Sequence, residues 1–176
     1  MPRLFTALEI PPDVGFGLSL LRGGLAGARW IDPENYHVTL RFVGDVDDAT
    51  GRDIMDMLGE VRRPAFDLSI EGLDQFGGRK PRTVFAAVRT HPALMELQAE
   101  QERIMQRLGL AAERNFKPHV TLARLRDASS RQVADYLATR GPFRSPSFRV
   151  PRFVLFSSRD SVGGGPYLVE AAYPLL

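Results

Sequence analysis

His37-Val38-Thr39-Leu40 recurs as His119-Val120-Thr121-Leu122, 82 positions further along a chain of 176 residues that holds only three histidines. Strand side chains alternate between faces, so each copy puts His and Thr on one face and Val and Leu on the other. Each reads as a strand with an apolar back and a front that carries an imidazole and a hydroxyl. Two such fronts turned toward each other would make one site with two titratable rings.

The repeat is wider than the tetrapeptide. At the same offset Pro64 and Phe66 match Pro146 and Phe148, and Asp47 and Asp48 match Ser129 and Ser130. Leu4-Phe5-Thr6-Ala7 resembles Val84-Phe85-Ala86-Ala87 at an offset of 80. The patterning predicts strands over 4–10, 36–43, 65–76, 83–88, 119–125, 148–156 and 167–172. Helices are predicted over 12–25, 47–61 (capped by Asp47 or Asp48), 92–108 and 129–138 (capped by Ser129 or Ser130). Helix follows strand in the same order in both halves, and no linker separates them. The expected fold is α+β: a duplicated bilobal domain spanning 1–176, with two antiparallel sheets lining a central cleft and helices outside.

Composition narrows the class. Apolar content of 44% and charged content of 25% are those of a soluble globular protein. No apolar run approaches a membrane span, and the start, with Glu9 and Pro11-Pro12, reads as a strand and not an export signal. Without cysteine there is no disulfide framework, no thiolate nucleophile and no cysteine metal site. A cytoplasmic monomer is the expectation. The net charge of +2 permits a nucleic-acid partner without demanding one.

An imidazole with a pKa near 6.5 can give or take a proton at neutral pH, so a facing pair suits general acid–base chemistry. Hydroxyls at Thr39 and Thr121 could hold the oxygens of an anionic phosphodiester. The chemistry alone leaves open which ring is the acid. A lone histidine on a strand is more often structural, and threonine is common in strands for packing alone; the identical context of the two copies raises the functional reading. Arg124 could bind phosphate, but strict alternation turns it away from His119 unless a bulge intervenes. Arg41 has the right parity and is expected at the solvated rim. Phe42, Phe76 and Phe116 are candidates for stacking on a base. His91 is expected on the surface, and Gly163-Gly164-Gly165 in a loop. Neither motif carries an acid at ligand spacing, which argues against a metal, and no nucleophile-elbow sequence supports a serine hydrolase.

These residues resemble the two-histidine (2H) phosphoesterase superfamily, and within it the RNA 2′,3′-cyclic phosphodiesterases, also called RNA 2′,5′-ligases. The resemblance rests on both HVTL motifs, on RLFTALEIP, on NYHVTLRFVGDV and FKPHVTLARL, and on GPYLVEAAYPL near the end. It implies metal- and cofactor-independent hydrolysis of 2′,3′-cyclic phosphate RNA ends, tRNA fragments among them, to 2′-phosphates, with reversible 2′,5′ ligation as a second activity. It also implies His37 as proton donor, His119 as proton acceptor, and Thr39, Thr121 and Arg124 as phosphate ligands. Two other readings keep the motifs: a phosphodiesterase for 2′,5′-oligonucleotides or ADP-ribose cyclic phosphate, and a non-catalytic module that binds RNA ends.

Overall fold

A computed structural model describes residues 3–158 and 165–176. The glycine-rich loop expected at 163–165 falls largely outside the described residues. In chain order the elements are β1 (Arg3–Glu9), α1 (Pro12–Ser19), β2 (Ala28–Trp30), β3 (His37–Gly44), α2 (Asp48–Leu58), β4 (Phe66–Leu68), β5 (Ile70–Phe76), β6 (Thr83–Val88), α3 (Pro92–Arg107), β7 (His119–Leu125), α4 (Ser130–Arg140), β8 (Phe148–Val150), β9 (Arg152–Ser158) and β10 (Tyr167–Pro174). A single turn of 3₁₀ helix, Pro33–Asn35, precedes β3.

The large sheet is antiparallel, in the order β10-β9-β1-β3-β7-β6-β5, with β2 added beside β7. β3 and β7 meet through one residue pair, Val38 opposite Val120. That contact divides the sheet into two lobes, and it joins equivalent residues of the repeat. The same is true of the small second sheet, where β4 and β8 place Asp67 opposite Arg149. A pseudo-twofold axis therefore passes through both pairings, as in an isologous interface. The α+β class, the antiparallel sheets and the duplication expected from the sequence are all present.

Two expectations need correction. The predicted strands 65–76 and 148–156 are each broken in two. Pro151 has no N–H for a ladder, and the chain bends there. At the equivalent break Ser145 Oγ accepts the Ile70 N–H at 2.9 Å. After each break the chain crosses into the other lobe, so β5 pairs with β6 and β9 with β1. Each lobe thus takes two strands from the opposite half of the sequence, β9 and β10 beside β1, and β2 and β5 beside β7 and β6. The first helix also stops at Ser19, not near residue 25, and the chain then passes through Gly23 and Gly24 at positive φ.

The apolar backs of β3 and β7 form the core floor. Val38, Leu40, Val120 and Leu122 are almost wholly buried, packed with Leu18 of α1, Ile54 and Leu58 of α2, Leu94 and Leu97 of α3, and Val133 of α4. Burial of each such side chain contributes roughly 1.5–3 kcal/mol, so the motif strands are anchored from behind. Asp47 caps α2 by accepting the Thr50 N–H at 2.7 Å, and Ser129 caps α4 through the Gln132 N–H at 3.0 Å. The helices lie behind the sheet, and its front is left for the cleft. Among the described residues no helix is long and apolar enough to cross a membrane.

Candidate active site

Both histidines stand at the first residue of their strands and are held alike. The carbonyl of Asn35 lies 2.9 Å from His37 Nδ1, and that of Lys117 lies 2.6 Å from His119 Nδ1. A carbonyl only accepts, so each Nδ1 carries the hydrogen, and each Nε2 is the nitrogen that can exchange a proton. His37 Nε2 is 3.0 Å from Thr39 Oγ1. The four residues of the two motif fronts, His37, Thr39, His119 and Thr121, line one cleft of about 490 Å³. That volume suits a small ligand or one nucleotide unit.

The walls repeat as well. His37 packs on Phe5 and Phe156, with ring centroids 5.1 and 6.0 Å away, and His119 on Phe85 and Phe76, at 5.3 and 5.0 Å. Beyond these pairs the lobes diverge. Tyr167 meets the His37 ring edge-on at 5.1 Å, whereas Lys117 lies with its Nζ 5.1 Å over the Phe85 ring. Burial is the main reason both rings are less basic than free imidazole. His37 is lowered to about 4, with the charges of His119 and Arg124 adding to burial and the Asn35 carbonyl opposing it. His119 is lowered by burial and by the charges of Lys117 and Arg124, against the pull of the Lys117 carbonyl. With the cleft empty, the His37 ring is neutral at pH 7.

A bulge decides where the flanking cations go. Against β1, Thr6 faces Arg41 and Ala7 faces Thr39, so Leu40 is unmatched. Against β6, Val84 faces Ala123 and Phe85 faces Thr121, so Leu122 is unmatched at the equivalent place. One extra residue reverses the alternation. Arg124 therefore turns into the cleft with His119, which removes the parity objection, and Phe42 turns in as its counterpart. The same bulge overturns the expected rim position of Arg41. Its side chain is only 3% exposed on the back of the sheet, with Nε 2.8 Å from Glu102 Oε1 and further bonds to the carbonyls of Phe42 and Ala111.

The aromatic candidates also separate. Phe42 is 45% exposed at the cleft, Phe76 is stacked on Phe85, and Phe116 packs against the core. His91 is not a free surface residue: its Nδ1 accepts the Ala93 N–H at 3.0 Å and caps α3, and its ring stacks on Phe66. Sequence reading overlooked Arg3, Arg82, Thr83, Ser158 and Tyr167 as lining residues. The offset-80 repeat around Phe5 and Phe85 was the one available signal for part of that lining. Among the described residues no three His, Cys, Asp or Glu side chains converge as metal ligands would.

Residues 27–161 match the model of the 2′-5′ RNA ligase superfamily. The chain belongs to this superfamily, the two-histidine phosphoesterases. Within it the chain groups with the RNA 2′,3′-cyclic phosphodiesterases. It is 30% identical to the enzyme of that name from Archaeoglobus fulgidus, over 76% of this chain and 77% of the relative. With the Geobacillus stearothermophilus protein of the same name it shares 33% identity over 98% of this chain, which spans 57% of that longer relative. Among solved structures, Escherichia coli LigT in its apo form superposes with a TM-score of 0.83 at 27% identity, covering 99% of this chain and 98% of LigT. The same protein has been solved with 3′-AMP, with a TM-score of 0.79 at 25% identity and 99% coverage of both chains.

Proposed function

We propose that the protein hydrolyses the 2′,3′-cyclic phosphate at the end of an RNA to a 2′-phosphate, by acid–base catalysis between its two histidines. The observation that carries this reading is the matched pair of Nε2 atoms. Both rings are held through Nδ1 by a carbonyl two residues upstream, so both offer the same nitrogen to one cleft. The names of the curated relatives supply the substrate class.

In this mechanism the phosphate sits between the motif fronts, with its non-bridging oxygens on Thr39, Thr121 and Arg124. His119 Nε2 takes a proton from water, and the oxygen of that water forms a bond to phosphorus. The P–O3′ bond breaks, and His37 Nε2–H delivers its proton to the departing 3′ oxygen. His119 ends protonated and His37 neutral, and exchange with solvent resets the pair. His37 must enter this cycle protonated although its empty-cleft pKa is about 4. A phosphate anion beside it favours the charged ring, so binding of substrate loads the acid. Strain in the five-membered cyclic ester eases departure of the 3′ oxygen, so the step draws on no metal or nucleotide cofactor. The same step, with an RNA 5′-hydroxyl in place of water at the cyclic phosphate, would give 2′,5′ ligation by the same two proton transfers.

The deciding experiment is incubation with RNA ending in a 2′,3′-cyclic phosphate, with and without chelator. A 2′-phosphate product at undiminished rate in chelator is the expected result. A 3′-phosphate product, or loss of activity on chelation, would overturn the proposal. Binding without turnover at any pH would favour an RNA-end binding module, and faster turnover of 2′,5′-oligonucleotides or ADP-ribose cyclic phosphate would change the substrate.

A further inference from the structure

The cleft carries more positive charge than one phosphodiester needs. Arg3, Arg82 and Arg124 line it, and among the described residues no carboxylate does. Arg82 closes the β5–β6 hairpin, whose loop, Gly77-Gly78-Arg79-Lys80-Pro81-Arg82, holds three cations within four residues. From residue 75 to residue 95 the chain has no acid, and Asp74 is the nearest one along β5. Arg79, Lys80 and Arg82 are all exposed, whereas Pro81 between them is buried and fixes the loop to the sheet.

This loop is built to one shape. Gly77 adopts φ 112°, and a side chain there would collide with the Lys80 carbonyl oxygen. The Lys80 N–H donates to Gly77 O at 3.1 Å, the Arg82 N–H to Phe76 O at 2.8 Å, and Gln75 Nε2 to Gly78 O at 3.0 Å. The hairpin also starts beside the reacting centre, because Phe76, the residue before Gly77, packs its ring 5.0 Å from that of His119. The Arg82 guanidinium lies 5.7 Å over the same Phe76 ring, and both side chains line the cleft. A preformed row of cations that begins at the cleft and leads away from it fits a polyanion with one end in the site.

We infer that the 77–82 hairpin is a second binding site, for the phosphodiester backbone of the RNA strand behind its reacting end. The inference rests on the proposed function and narrows its substrate to oligonucleotides over free cyclic mononucleotides. Arg82 meets the phosphate nearest the terminal nucleotide, and Lys80 and Arg79 meet the ones before it. These contacts are to phosphate alone, so they add affinity without base preference.

The test compares a hexanucleotide ending in a 2′,3′-cyclic phosphate with a 2′,3′-cyclic mononucleotide at 50 to 200 mM salt. Three engaged cations predict a slope of log Kd against log salt that is steeper by about 2 for the hexanucleotide. The double variant Arg79→Ala/Lys80→Ala, on exposed loop positions, should lower that slope by about 1.4. It should also erase most of the preference for the hexanucleotide in kcat/KM. An unchanged slope and preference in the variant would overturn the inference. Anisotropy of a labelled hexanucleotide gives the slope without turnover. If the wild-type protein binds the strand in this salt-dependent way yet hydrolyses neither substrate, the catalytic reading fails and the backbone site stands.

Discussion

The two histidine pockets are copies in their backbone and different in their surroundings. Each ring is held by the carbonyl two residues before it, flanked by two phenylalanines and followed by a threonine and a bulged leucine. Past the bulge the copies part. The first lobe places exposed Phe42 in the cleft and buries Arg41 behind it, whereas the second has Arg124 in the cleft and small, buried Ala123 behind. Duplication supplied two equivalently held imidazoles, and different residues at two strand positions made their surroundings unlike. On the proposed function, a base stacked on Phe42 and a phosphate held by Arg124 would give the substrate one preferred orientation. That orientation would decide which ring stands beside the leaving oxygen.

The equivalence of the rings is broken most severely by removing one. His37→Ala and His119→Ala should each lower kcat on cyclic-phosphate RNA by about 10³-fold, within the usual worth of general acid–base catalysis. Full activity in either variant would show that the two rings do not work as a pair. The asymmetry past the bulge is tested next. Arg124→Ala should lower kcat/KM by about 10- to 100-fold, as for loss of a hydrogen bond to a charged group. Phe42→Ala should act more weakly and mainly through KM, because stacking contributes to binding and not to proton transfer. The opposite ranking would reverse the assigned direction of the site.

Thr39→Val and Thr121→Val should each cost about fivefold to tenfold in kcat/KM. Unequal losses would show that the phosphate lies closer to one lobe. Smaller again is the difference in basicity. Both free rings titrate below the ordinary imidazole value, so the bell-shaped profile of kcat/KM should reach its maximum below pH 6.5. The kcat profile should lie at higher pH, since bound phosphate favours the charged rings; coincident profiles would contradict this coupling. His37 also marks stability. Its folded pKa is depressed, so between about pH 4 and 6.5 the unfolded chain binds more protons and stability rises with pH. The change is on the order of 3 kcal/mol. Urea unfolding at several pH values should show a flatter dependence in His37→Gln, and an identical dependence would mean that other groups cause it.

The sequence by itself determined the α+β class, the duplication, most element bounds, the helix caps to within one residue at Asp47 or Asp48 and at Ser129 or Ser130, and the motif fronts now found in one cleft. These features are local: a two-residue alternation, a capping hydroxyl or carboxylate and a repeated tetrapeptide are all written in neighbouring residues. Only the tertiary structure decided that strands 65–76 and 148–156 break and exchange lobes, since that depends on which partner strand has unpaired backbone groups. It alone decided that Leu40 and Leu122 bulge, because a bulge belongs to a strand pair and not to a strand. That single-residue slip buried Arg41, turned Arg124 and Phe42 into the cleft, and made two like histidines unlike in their neighbours.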